Sequence, residues 1–350
     1  MAALFRWHEI TLSRPPVDLE RVKSARIARR ADSDRAQNEL SMALTLEQAI
    51  ARVPFLAEAK RLVSTPLTGG VTNLNYKIDA DGQSYVLRIC GADTDKLGIR
   101  RDVEYCANLA AGRLGIAPEV LYYIEPEGYL VTRFINARQL PPEIITRPEN
   151  LVRVARKLRL FHRRGPELAG EFNVFRRIEM LTAVSKEKNC RFPFDFDWIM
   201  QEMHRVEEAL LKDPYIPTPC HDDLLNLNWL DEQGVTGGMG EVRLLDWEYA
   251  GMGDIFFDLG NFTHHHRLEE DQIRLFLQEY FGEVTPKNYA RLRLMAAMSE
   301  IHEAMWGTTQ TGISKLDEDF HGYANLFFGR VRERITDYRW ERWLTDVSAK

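Results

Sequence analysis

The sequence predicts an α+β protein in two parts, a small antiparallel sheet with one main helix followed by a larger, mainly helical region. Three observations predict it. Residues 85–89, 120–124 and 129–135 are short β-rich runs in the first part of the chain, set off by the turn signals Asp81-Gly82 and Glu125-Pro126-Glu127-Gly128. Apolar residues then recur at helical spacing, at Leu151, Val152, Ala155, Leu158 and Phe161, and again at Ile199, Met203, Val206 and Leu210. Within the helical region, Trp229-Leu230 and residues 242–245 flank Gly234, Gly237, Gly238 and Gly240, the pattern of a hairpin with a loose connection.

Composition narrows the function. The chain has 350 residues, 45% hydrophobic and 28% charged, enough for two modest lobes with real cores. Its net charge of −6 lacks the dense basic face that nucleic-acid binding needs. Cys90, Cys106, Cys190 and Cys220 form no C-x-x-C pair and no metal-ligand spacing, so they read as reduced thiols of a cytoplasmic protein. No run approaches the roughly 18 apolar residues of a membrane span, and no secretory signal core is present.

Residues 1–44 read as an extension. Residues 1–41 carry eight Arg/Lys against six Asp/Glu with few sustained apolar positions, and Met42 is a candidate natural start. Thr45-Leu46-Glu47-Gln48 is a capping-box pattern that opens the first helix of a lobe spanning 45–135. The helical lobe then takes 136–350.

The densest chemistry lies between His221 and Glu248. A hairpin brings its ends together, so Asn228 at the entrance and Asp246 at the exit should sit side by side, with Asp223 on the loop leading in. Three oxygen-bearing side chains then converge. Such a set suits phosphoryl transfer, which needs a carboxylate to orient a hydroxyl and hard oxygen ligands for Mg²⁺. The pattern H-x-D-x-x-x-x-N followed by Asp246-Trp247-Glu248-Tyr249 resembles the catalytic and metal-binding loops of the choline/ethanolamine kinase family, within the aminoglycoside phosphotransferase, protein-kinase-like superfamily.

That resemblance implies a bilobal kinase-like fold. It makes Asp223 the catalytic base, groups His221 with the catalytic residues, and gives Mg²⁺ to Asn228 and Asp246 with Glu248 as a further contact. Asp258 matches an aspartate that accepts hydrogen bonds from the catalytic-loop backbone. ATP is expected at Gly69, Gly70, Thr72 and Asn73, where glycine lets backbone N–H groups approach phosphates. Arg88 is a permanent cation inside an apolar strand and needs a partner; Glu104, on the helix starting near Arg101, is the natural one. Arg133, Phe134 and Ile135 resemble the connector beside adenine.

On the acceptor side, Trp306, Tyr323 and Tyr249 match aromatic positions that surround a substrate's quaternary nitrogen, and Asp223 meets the hydroxyl. Thr309 stands where some relatives have a second tryptophan, and Leu225 replaces a polar loop residue. His264, His265 and His266 read as a solvated helix surface. The implied reaction is ATP-dependent phosphorylation of a small amino alcohol, choline or ethanolamine, with thiamine, aminoglycoside or amino-sugar kinases and a catalytically dead nucleotide-binding regulator as alternatives.

Overall fold

The expected capping box starts the first helix. Thr45 Oγ1 accepts from the Gln48 N–H and Gln48 Oε1 accepts from the Thr45 N–H, which fixes α1 (Leu46–Ala51), and α2 (Pro54–Ala57) follows. The structure, a computed structural model, describes residues 44–67, 73–91, 98–232, 240–314 and 316–348. The expectations for residues 1–43 therefore lie outside the described residues.

A five-stranded antiparallel sheet forms from β1 (Leu62–Leu67), β2 (Asn73–Ala80), β3 (Gln83–Cys90), β4 (Val120–Ile124) and β5 (Tyr129–Arg133), in spatial order β1-β2-β3-β5-β4. The β2–β3 turn is the predicted Asp81-Gly82. Its φ values of 48° and 81° are both positive, the backbone twist that two-residue hairpins require. Between β3 and β4 runs α3 (Arg101–Arg113), which buries Val103, Ala107, Ala110 and Ala111 along one stripe.

The connector leads directly into a second sheet. β6 (Ala137–Gln139) pairs with β8 (Trp229–Glu232), which pairs with β9 (Glu241–Leu244) in the predicted hairpin, Trp229 opposite Leu244. Another small pair joins β7 (Thr218–Cys220) to β10 (Gly251–Gly253), bracketing the loop that carries Asp223. Three-residue strands show no period-2 signal, which is why the sequence did not reveal β6, β7 or β10.

Helices make up the remainder: α4 (Pro142–Ile145), α5 (Pro148–Arg164), α6 (Val174–Glu187), α7 (Phe196–Leu211), α8 (Ile255–His265), α9 (Glu270–Phe281), α10 (Pro286–Ile313), α11 (Phe320–Ile335) and α12 (Trp340–Asp346). The 28-residue α10 is the axis of this lobe, packed by α6, α8 and α11 and buried around most of its circumference. Two glycines permit its close crossings. A Cβ on Gly260 of α8 would lie 2.6 Å from the Ala296 nitrogen, and one on Gly307 would lie 2.8 Å from Tyr323 Cδ1 of α11.

That packing overturns one expectation. His264 and His266 are buried and His265 nearly so, not solvated. His264 Nε2 meets Ser299 Oγ at 2.9 Å and His266 Nδ1 meets the Phe262 carbonyl at 2.8 Å. Adjacent helical residues do point in different directions, but α8 is covered on several sides, so polarity alone misjudged the surface. Among the described residues, no helix is long and apolar enough to cross a membrane.

Gly260→Ala is expected to cost about 1–3 kcal/mol by overpacking the α8–α10 crossing. A urea midpoint equal to wild type would show that the crossing relaxes freely.

Candidate active site

The loop that carries Asp223 hangs from α8. Asp258, in its first turn, accepts the His221 N–H at 2.9 Å and the Asp222 N–H at 2.7 Å, and Asn261 one turn on accepts the Leu224 N–H at 2.6 Å. His162 Nε2 lies 2.9 Å from Asp258 and its Nδ1 2.5 Å from the Tyr280 hydroxyl. Burial would raise the Asp258 carboxyl, but the His162 hydrogen bond and charge, with the loop amide, hold it below the ordinary carboxylate range.

Two non-glycine residues in the left-handed region shape the site, Asp222 at φ 67° and Asp246 at φ 63°. Asp222 was missed from the sequence. It is buried, neither carboxylate oxygen has a hydrogen-bond partner, and burial followed by the Asp258 charge pushes it well above the usual range.

His221, grouped with the catalytic residues, is placed differently. Its Nε2 donates to the Leu245 carbonyl at 2.8 Å and its Nδ1 accepts the Asp223 N–H at 3.1 Å. Both ring nitrogens are engaged, the ring packs edge-on against Trp247, and burial pulls it down to about 4. The ring thus ties the loop to the end of β9.

The hairpin closes as expected. The Leu245 N–H donates to the Asn228 carbonyl at 2.9 Å, which sets Asn228 beside the start of the Asp246 turn. Asn228 Nδ2 donates to the Asp223 carbonyl at 2.9 Å and lies 3.3 Å from Asp223 Oδ2, so its Oδ1 is the atom left for a cation. Asp223 is pushed well above the carboxylate range, by burial first and then by the charges of Glu303, Asp246 and Glu248, with the Asn228 hydrogen bond opposing.

Above these residues, Arg88 reaches from β3 into a ring of acids. Its guanidinium lies 2.5 Å from Glu104, 3.0 Å from Asp246 and 3.2 Å from Glu248. Burial would lower its pKa, yet these three charges outweigh that and raise it. Arg101 adds contacts to Glu104 at 2.6 Å and Glu248 at 3.3 Å. Asn73 donates to Glu248 at 3.0 Å and accepts from Arg101 at 3.3 Å, so it belongs to this junction between the lobes. Glu248, expected as a further metal contact, is buried with Oε2 accepting from Asn73, Arg88 and Arg101.

Gly69, Gly70 and Thr72 lie outside the described residues. In the connector, the Arg133 and Phe134 N–H groups bond the Glu119 and Ser84 carbonyls, and the Arg133 side chain pairs with Glu119 at 3.0 Å. Phe134 carries the Lys77 ammonium 4.9 Å from its ring centroid. The backbone N–H groups of Arg133 and Phe134 are thus taken within the protein; Ile135 is half-buried beside them.

The acceptor-side aromatics do meet. Trp306 and Tyr323 pack edge to face with centroids 5.6 Å apart, and Tyr249, its hydroxyl raised by burial and then by Glu248, lies beside Trp306. Thr309 points elsewhere: it is buried against α6, 2.9 Å from the Ser185 hydroxyl. Glu303, missed from the sequence, shares the pocket. One oxygen each of Asp223 and Glu303 and a nitrogen of His265 lie within 4.8 Å of one another. Its spacing of three residues before Trp306 was the available signal, since such pairs share a helix face.

A small antiparallel sheet whose buried cation meets a helix glutamate, set over a helical lobe with an H-x-D-x-x-x-x-N loop and an aspartate at a hairpin exit, defines a protein-kinase-like phosphotransferase. Residues 64–330 match the profile of the choline/ethanolamine kinase family, and the chain belongs to that family. A choline/ethanolamine kinase family protein from Mesorhizobium loti superposes with a TM-score of 0.74 at 30% identity, covering 85% of this chain and 96% of that one. Protein LicA of Haemophilus influenzae is 24% identical, over 73% of this chain and 75% of LicA. The probable ethanolamine kinase of Arabidopsis thaliana is also 24% identical, over 76% and 77%. The protein is thus a kinase that phosphorylates the alcohol group of an amino alcohol.

Arg88→Ala and Glu104→Ala should each cost about 3–5 kcal/mol by leaving buried charge unpaired, and the double mutant should cost less than their sum by about 0.5–3 kcal/mol. Chemical denaturation of the four proteins measures this; strict additivity would mean the pair is not coupled.

Proposed function

We propose that the protein transfers the terminal phosphoryl group of ATP to the hydroxyl of choline or ethanolamine, with Asp223 accepting the hydroxyl proton. One juxtaposition carries this reading: the Asp223 carboxylate, raised in proton affinity by burial, adjoins a pocket walled by Trp306, Tyr323 and Tyr249. An aromatic wall attracts an ammonium through the ring quadrupole. A carboxylate of raised proton affinity suits acceptance of the hydroxyl proton of the same molecule.

The donor set beside Asp223 fits Mg²⁺. Asn228 Oδ1 and the partly exposed Asp246 carboxylate are hard oxygen donors held together by the hairpin, with no thiolate or imidazole in the set. When bound, the cation would neutralise phosphate charge. Arg88, braced by Glu104, would hold the phosphates from the opposite lobe, and the connector carbonyls of Arg133 and Phe134 would meet adenine. Asp258 and His221 act one step back, fixing the loop that aims Asp223.

Asp223→Asn should lower turnover by about 10²- to 10⁴-fold while nucleotide binding survives, since it removes the proton acceptor and little volume. Wild-type turnover in that variant would refute the role. Asp246→Ala should abolish the Mg²⁺ dependence of nucleotide binding, measured by titrating ATP with and without the metal; an unchanged dependence would move the ligand elsewhere. Trp306→Leu should raise the amine KM by about 3- to 30-fold with the ATP KM unchanged; equal losses for amine and ATP would reduce Trp306 to core packing.

A further inference from the structure

The acceptor pocket holds a carboxylate that the reaction as described does not use. Glu303 lies on α10, one turn before Trp306, and is 8% exposed. Its Oε2 accepts the Tyr323 hydroxyl at 2.5 Å. Its Oε1 has His265 Nε2 at 3.6 Å and His302 Nδ1 at 3.9 Å, both beyond hydrogen-bond length. Neither ring compensates by bonding: His265 Nε2 and both nitrogens of the buried His302 have no hydrogen-bond partner. Among the described residues, no arginine or lysine lies within ion-pair distance of Glu303 or Asp223. Two carboxylates thus face one small volume with no strong cation between them, and aromatic rings wall it.

We propose, on the basis of the function above, that Glu303 is the specificity-determining residue for the acceptor: its Oε1 takes an N–H of the substrate's ammonium while Asp223 takes the hydroxyl. The span fits. With single bonds of about 1.5 Å, the oxygen and nitrogen of a 1,2-amino alcohol are about 3–4 Å apart, and one carboxylate oxygen of Asp223 and one of Glu303 lie within 4.8 Å of each other. A charge-assisted hydrogen bond of about 2.7–2.9 Å at each end brackets such a molecule. The rings of Trp306 and Tyr323 attract any ammonium, methylated or not, and discriminate weakly. Oε1 discriminates strongly, because an acceptor built to receive an N–H is left unpaired and buried when a fully methylated nitrogen replaces the donor. The acceptor class is therefore a 1,2-amino alcohol with at least one N–H on its cationic nitrogen, the ethanolamine type in preference to the choline type. Tyr323 is a positioning residue here, since its hydroxyl fixes the carboxylate through Oε2.

The test is steady-state phosphorylation of ethanolamine, N-methylethanolamine, N,N-dimethylethanolamine and choline by the full-length protein and by Glu303→Gln and Tyr323→Phe. Wild type should use the first three and lose at least about tenfold in kcat/KM on the final methylation, the size of one hydrogen bond to a charged group. Glu303→Gln, nearly isosteric, should raise the KM for the three N–H-bearing amines by about 10- to 100-fold, leave that for choline within about threefold, and leave the ATP KM unchanged. Tyr323→Phe should move the same ratio in the same direction by less. A wild type that prefers choline overturns the proposal even if Glu303→Gln does not fold, as does a Glu303→Gln that loses ethanolamine and choline equally. Phosphorylation of none of the four amines by wild type would instead overturn the underlying choice of acceptor.

Discussion

The structure depends on keeping Arg88 charged inside the protein. A guanidinium cannot shed its proton to escape burial, so the fold must surround it with acids. Glu104 comes from the helix packed under the sheet, Asp246 and Glu248 from the turn after the hairpin. The same contacts therefore brace the sheet lobe internally and fasten it to the helical lobe. Those acids also need compensation: Arg101 adds a second cation to Glu104 and Glu248, and the Asn73 amide donates to Glu248. Removing Arg88 strips Glu104, Asp246 and Glu248 of a shared cation at once, so the network is coupled through it.

A second constraint works from below. Asp258 gathers the His221 and Asp222 amides, and Asn261 the Leu224 amide, so one turn of α8 dictates the path of a loop whose own regular structure is a single 3₁₀ turn at Asn226–Asn228. The positive φ at Asp222 follows from that path. His221 then reaches across to Leu245, so the loop and the hairpin exit move together. Asp223 projects from the one short segment held at both ends. Between the Arg88 network above and the Asp258 anchor below, Asn228 and Asp246 have little freedom left.

The acceptor pocket is built differently, from the faces of long helices. Gly307 lets α11 approach α10 closely enough for Tyr323 to reach both Trp306 and Glu303. Aromatic area and a carboxylate thus come from α10 and α11, while Asp223 comes from the loop. Recognition of the amine and activation of its hydroxyl are therefore joined through the packing of α10 against α8 and through Tyr249, which follows the Asp246 turn.

The sequence by itself determined the elements whose signals are local. The Asp81-Gly82 hairpin, the capping box at Thr45 and the Trp229/Leu244 pairing follow from turn chemistry and short-range patterning. Motif spacing sufficed for Asp223, Asn228 and Asp246 because a hairpin converts separation along the chain into proximity. The need for a partner to Arg88 was also legible, since a buried guanidinium cannot stand alone. Only tertiary structure decided the remainder. Which side chains meet Glu248 Oε2 depends on how the lobes meet. Whether His264 and His266 face water depends on the helices that cover α8, and whether Thr309 faces the pocket or α6 depends on the rotation of α10. Glu303 reaches Asp223 only because helices 80 residues apart in sequence from the loop fold back over it, and no local pattern encodes a distance between side chains that far apart along the chain.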